Sequence, residues 1–224
     1  NPESFVLYER MNSEIDKTVS QKLPYSTFFC NPKVPWEIFS DTKASYLNSR
    51  LRGTYPSLGE VAEVLGAATV NEAYMIKQLI SEESNPASGQ LKMINSGTID
   101  RYNMLWGYKK MNYIKDSYLC PTIKAVDIHN LPIKRHEQAK TPKIIVASMT
   151  KVIECAIDLN GDILAGKSTT VIFPQGNLKY FVGILNSTLV NYYFINTFAG
   201  NRLSGGYLRV GPPQLKTIPI RTID

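Results

Sequence analysis

Leu178–Phe198 limits the possible folds of this chain more than any other stretch. Phe181, Ile184, Leu185, Thr188, Leu189, Tyr192 and Ile195 recur at the helical period and make one wide apolar stripe. The spacing predicts a single long helix that Gly200 ends, acting as scaffold rather than as a reading element. It is no membrane span, because Asn186, Ser187, Asn191 and Asn196 break the apolar run. Short β signals precede it. Lys143–Ser148 is β-branched and entered through Pro142. Val152–Leu159 and Asp162–Phe173 flank Asn160-Gly161, a strong hairpin signal.

The first half is less regular. Pro24, Pro32 and Pro35 bar a long helix, so residues 1–45 read as irregular, with Val34–Phe39 as an extended or docking segment. A short helix is expected over Ser45–Leu51, closed by Gly53. Ser57-Leu58-Gly59-Glu60 has capping-box spacing and predicts a helix through Val61, Val64 and Leu65 that Gly66 stops. Residues 73–80 fit a helix face through Ile76, Leu79 and Ile80, and a strand period only in part. Residues 81–90 read as a polar loop, 200–213 as a Gly-rich loop, and Leu215–Ile220 as extended.

The 224 residues fit one large domain, or a smaller one with an appendage. A hydrophobic share of 43% excludes intrinsic disorder, and three cysteines exclude a disulfide scaffold. Free thiols and no visible signal peptide point to a cytoplasmic protein. Asn1-Pro2-Glu3-Ser4, without an initiator Met, reads as the start of an excised fragment. The net charge of +6 is uneven. Residues 52–91 carry net −3, whereas 92–151 carry net +7 together with Tyr102, Trp106, Tyr108, Tyr113 and Tyr118. Basic side chains interleaved with aromatics and Asn compose a nucleic-acid surface; a solvated face with core aromatics has the same composition.

Several chemistries find no motif. Neither dinucleotide nor P-loop glycine spacing occurs, and Gly166-Lys167-Ser168-Thr169 matches only the tail of a phosphate loop. Cys30, Cys120, Cys155, His129 and His136 are too scattered for a zinc site. Cys120 with His129 or His136 stays open as a hydrolase alternative, without an accompanying oxyanion-hole signature. No acidic cluster suggests two-metal phosphodiester cleavage.

Four stretches together resemble the TaqI-like C-terminal specificity domain of adenine-specific DNA methyltransferases. They are Leu58–Val64 with Gly66; Lys92–Tyr102; Pro142–Ala147 with the Asn160-Gly161 turn; and Leu185-Asn186-Ser187-Thr188-Leu189 followed by the Gly-rich loop and Leu215–Ile220. The likeness runs over about residues 57–220. It implies a mixed α+β fold, mainly antiparallel strands with a few helices, and it favours a strand for 73–80. It implies a target-recognition domain over 46–224, with 1–45 as a linker from an absent catalytic domain. It implies double-stranded DNA and an upstream methyltransferase domain as partners, with no membrane. Asn31-Pro32-Lys33-Val34 departs from the catalytic N-P-P-[YF] motif at its third and fourth positions. The fragment is therefore expected to be non-catalytic and without a cofactor, with S-adenosylmethionine held by the catalytic domain of a restriction-modification enzyme. One half of a type I specificity subunit is the neighbouring alternative; no heptad run for its coiled-coil spacer occurs.

The DNA contacts expected on this reading divide by chemistry. Lys109, Lys110, Lys115, Lys124, Lys134, Arg135, Lys140 and Lys151 are phosphate candidates. Arg101, Asn103, Asn112, Asn201, Arg202 and Arg209 can present bidentate groups to base edges. Thr69, Asn71 and Tyr74 follow the Gly66 turn, where the family places a DNA-facing loop. Lys167, Ser168 and Thr169 offer one charge and two hydroxyls to a phosphate. Tyr102 is expected in the core.

Overall fold

The computed structural model describes residues 5–12, 17–24 and 42–223. Phe5–Asn12 (β1) and Lys17–Pro24 (β2) pair antiparallel, so the N-terminal stretch expected to be irregular contains a hairpin. Pro24 sits at its very end, where a missing N–H costs no interior ladder bond. The expected docking segment Val34–Phe39 lies outside the described residues. Thr42–Thr54 (α1) is longer at both ends than Ser45–Leu51 and runs through Gly53.

The capping box at Ser57 is present: its N–H donates to Glu60 Oε2 at 2.6 Å. The helix it opens, Leu58–Val61 (α2), lasts one turn, and Ala62–Gly66 is a strand (β3) where helix was expected. Ala62 and Val64 point inward while Glu63 points out, the alternation of a half-covered strand. Val70–Lys77 (α3) corrects the strand expected over 73–80. Thr69 and Glu72 form its capping box, and Ala73 and Ile76, three apart, are its buried face. The strand begins only at Ile80–Glu82 (β4).

The chain continues through Leu91–Ile94 (β5), Ile99–Asp100 (β6), Asn103–Met104 (β7), Met111–Tyr113 (β8), Asp116–Tyr118 (β9) and Pro121–Ile123 (β10). Ile133–Lys140 (α4), Lys143–Ala147 (β11), Met149–Thr150 (β12), Cys155–Asp158 (β13), Ile163–Ala165 (β14) and Thr169–Pro174 (β15) follow. Leu178–Leu185 (α5), Thr188–Thr197 (α6), Leu208–Arg209 (β16) and Pro212–Leu215 (α7) complete the order.

The fold is mixed α+β and mainly antiparallel. One sheet has the order β13-β11-β15-β3, the other β14-β5-β10-β4, with β14 and β5 as the parallel pair. The first sheet is covered on both faces. Ile144, Val146, Ile172 and Val64 pack under α5 and α6 with Phe181, Leu185, Tyr193 and Phe194. Ile145, Ala147 and Val171 face Ile94 and Ala165 at the ends of β5 and β14. All five residues of β11 are buried, four of them an apolar run Ile144–Ala147 that fits a strand covered on both faces. α3, α4 and the β8–β9 hairpin close over the second sheet through Ala73, Ile76, Met93, Met111, Ile123 and Ala139.

Three expectations about the second half need correction, the first being that Asp162–Phe173 is not one strand but two, β14 and β15, one in each sheet. Asn160-Gly161 turns the chain, but it makes no hairpin: β13 pairs with β11 in one sheet, and β14 pairs with β5 in the other. The turn is a crossover, and Asp158 holds it by accepting from the N–H of Gly161 at 2.9 Å and of Ile163 at 3.2 Å. Asp158 also takes the buried ammonium of Lys143, which donates in addition to Ala139 O at 3.1 Å. Burial lowers the Lys143 pKa, against the pull of Asp158. Leu178–Phe198 is two helices rather than one. Asn186 ends α5, and the Ser187 hydroxyl caps α6 by accepting from Val190 N–H at 3.2 Å.

Candidate nucleic-acid interface

The register of the first sheet gathers loops at one end. Ala147 closes β11 opposite Thr169, Cys155 opens β13 opposite Val146, and Gly66 closes β3 opposite Thr170. The parallel pair β5 and β14 finishes at the same place, where Gly166 N–H donates to Ile94 O at 2.8 Å. Loops 66–71, 95–98, 147–151 and 166–169 thus share one end, and the β12–β16 pairing adds loop 201–210.

Short polar side chains tie these loops together. The Ser96 hydroxyl donates to Ser168 O and accepts from Ser148 N–H at 3.0 Å. Asn95 Oδ1 accepts from Ser168 N–H at 3.0 Å, and its amide reaches Asn112 O at 3.3 Å. Val210 N–H donates to Ser148 O at 2.9 Å. Gly166 must be glycine here, since a Cβ would lie 2.9 Å from Asn95 Oδ1 and 3.0 Å from Ile94 O. Backbone groups that would otherwise be orphaned at strand ends are paired across loops, which holds the end of the molecule in one shape.

Most residues expected to touch DNA lie on this end. Lys167 and Ser168 are exposed between β14 and β15, and Arg209 is exposed on β16. Lys151 is exposed with its ammonium 5.7 Å from the Tyr207 ring centroid. Asn201 and Arg202 are exposed in the loop whose Arg202 bridges to Leu208. Asn112 is exposed beside Asn95, and Asn71 on the first turn of α3. Thr69 caps that helix and keeps an exposed position. Lys109 and Lys110 are exposed after the β6–β7 hairpin, whereas Lys115, at the tip of the β8–β9 hairpin, stands apart from this end beside Asp116, which pairs at 2.9 Å with Lys77 on the last turn of α3.

The hairpin carrying Arg101, Tyr102 and Asn103 is pinned from below. Tyr102 N–H donates to Cys155 O at 2.9 Å, and the Arg101 guanidinium donates to Asn186 O. Tyr102 is not core. It is 56% exposed with φ +67°, a left-handed conformation that costs a non-glycine residue about 1 kcal/mol or more. Arg101 stands 5.9 Å from its ring centroid. Glu154 lies between these cations: burial and Asp100 raise its pKa, while Lys109 and Arg101 pull it back.

Two candidates face inward. Thr169 is buried, and its hydroxyl donates to Gly166 O at 2.6 Å. Arg135 is buried too, donating to Gly66 O at 2.9 Å, Gln138 Oε1 at 2.7 Å and Glu72 Oε2 at 3.1 Å. Burial acts to raise the Glu72 pKa, but the Thr69 N–H and this guanidinium hold it below its usual value. Arg135 joins α3, α4 and β3 rather than a phosphate. Lys134, with Glu63 and Glu137, lines a cavity of about 740 Å³ along the outer edge of β3. Lys140 lies at the far end of the sheet, next to Gly161. Met149, Tyr207, Ser96 and Glu154 belong to the site and were not singled out by sequence. Only the pairing of loops distant in the chain reveals them.

The thiol chemistry left open has no geometry to support it. Cys120 is buried, and among the described residues no hydrogen bond joins it to His129 or His136. Burial pushes the Cys155 thiol far above its usual pKa. No three His, Cys, Asp or Glu side chains gather for a metal among the described residues.

The family model of the TaqI-like C-terminal specificity domain matches residues 91–220. The chain belongs to this family. The match makes it a DNA-recognition domain and takes in all of the converging loops except 66–71. The specificity-domain match begins at β5, so the place of Gly66 and the loop after it at the interface rests on the pairing of β3 with β15. No curated protein matches the chain. No helix among the described residues is long and apolar enough to cross a membrane.

Proposed function

We propose that the loop-bearing end of the two sheets binds duplex DNA and reads its sequence for an adenine-specific methyltransferase of a restriction-modification system. Methyl transfer then belongs to a catalytic domain outside these 224 residues, with S-adenosylmethionine as its methyl donor. One observation carries the reading. Strand register brings Lys167, Lys151, Arg209, Arg202, Asn112 and the Arg101 hairpin onto one tied platform, although they are scattered over more than a hundred residues of sequence. Cations there serve phosphates, and Asn and Arg serve base edges. The test is binding to mixed-sequence duplex over a salt series, for the chain and for Lys151→Ala/Lys167→Ala. The log–log slope should fall by about 0.9 for each phosphate contact removed. Equal slopes for the two proteins would overturn the assignment of this end.

A further inference from the structure

β12 and β16 form a ribbon two residues long, with Met149 opposite Arg209 and Thr150 opposite Leu208. Leu208, Val210 and Thr150 point inward and are buried. The two-residue period therefore turns Met149 and Arg209 outward together, and Met149 is 53% exposed. Cross-strand neighbours stand about 5 Å apart at Cβ, within reach of two adjacent base pairs. Both strands are anchored from behind: Ser148 by Ser96 and by Val210 N–H, and Thr150 by its hydroxyl on Val152 O. The Arg209 guanidinium makes no hydrogen bond or ion pair among the described residues. Lys151 and Lys167 flank the ribbon as cations for the neighbouring phosphates.

We infer that this ribbon reads a two-base step in the major groove, Arg209 on a guanine and Met149 on the C5-methyl of a neighbouring pyrimidine. The inference rests on the DNA reading above. A two-stranded ribbon fits the major groove, where guanine offers O6 and N7 side by side to a guanidinium. The same groove shows the C5-methyl, which thymine and 5-methylcytosine carry and uracil and cytosine lack. A thioether has no hydrogen bond to give there; its gain is dry contact with that methyl group.

The experiment selects preferred sites from a randomised duplex pool with the full chain. It then replaces each selected thymine by uracil, and each cytosine beside a guanine by 5-methylcytosine. Selected sites should hold a guanine next to a pyrimidine whose C5-methyl matters: removing it weakens binding about fourfold, the worth of one buried methyl group. Met149→Ala should bind methylated and unmethylated sites equally, and Met149→Leu should keep the difference. Arg209→Lys should lose about tenfold in preference for that guanine. Selective binding with no methyl dependence at any position, or dependence that survives Met149→Ala, overturns the ribbon assignment alone. Thymine-only and 5-methylcytosine-only responses both support it and tell the two bases apart. Absence of any salt-dependent binding overturns the DNA reading itself.

Discussion

Asn186 joins the end of α5 to β13 and to the Arg101 hairpin. Its amide donates to Cys155 O at 2.9 Å and its Oδ1 accepts from Cys155 N–H at 3.2 Å, so it pairs with β13 as another strand would. β13 is an edge strand, and this amide covers its exposed backbone. The carbonyl of the same residue takes the Arg101 guanidinium, and Cys155 O also takes Tyr102 N–H. The residue that breaks the helix is thus also the footing of the hairpin. Replacing Asn186 by Ala leaves a buried N–H without its acceptor and removes one of two donors to a buried carbonyl. Each such group costs about 1–3 kcal/mol, and the expected loss is about 3 kcal/mol in urea unfolding. A loss below about 1 kcal/mol would show that Asn186 is an ordinary helix-end residue.

The crossover at Asn160-Gly161 sets how the two sheets stand together, and its glycine is obligatory for two reasons. Gly161 has φ +65°, and a Cβ there would fall 2.3 Å from Lys140 O. Gly161→Ala therefore meets both backbone strain and a backbone clash, and thermal or urea unfolding should show a loss of about 3 kcal/mol. A loss of only about 1 kcal/mol, the cost of left-handed alanine alone, would mean that α4 moves away easily. Sequence located this turn and the strand before it, yet it merged β14 and β15 into one stretch and did not show which strands pair. Asn-Gly encodes a reversal of direction; the partners β11 and β5 are chosen by apolar faces that meet only in three dimensions. The β-branched run of β11 was legible because both its faces are buried. The break at Asn186-Ser187 was not, because Leu189, Tyr192 and Ile195 continue the apolar period in sequence, whereas α6, redirected by the caps, buries Val190, Tyr193 and Phe194 and leaves Leu189 and Tyr192 exposed. The same limit governed the site. An inventory of Lys, Arg and Asn named many residues that the fold brings to one end, but it could not show that Arg135 turns inward on Glu72 and Gly66 O. Nor could it single out Met149, whose meaning lies in facing Arg209.

Across the whole molecule, the two sheets have unlike ends. At one end, loops with little regular structure are fixed by Ser96, Asn95 and Ser148 and carry exposed cations. At the other, the Lys143–Asp158 pair, the Gly161 turn and the start of α5 close the structure with side chains that satisfy one another. Lys140 and Lys179 are exposed at this closed end and have the same charge as Lys151 and Lys167. A polyanion attracts all four at long range. At physiological salt, however, screening over about 8 Å leaves only cations in contact with phosphates to matter. Net charge and position therefore separate cleanly. Lys140→Glu/Lys179→Glu and Lys151→Glu/Lys167→Glu remove the same charge from the same protein. Near 0.15 M salt the first pair should change duplex affinity less than about twofold, and the second should lower it by tenfold or more. Equal losses would mean that the domain attracts DNA by its overall charge, with no oriented face. Loss in the first pair alone would place the duplex against the closed end and overturn the assignment of the loop-bearing end.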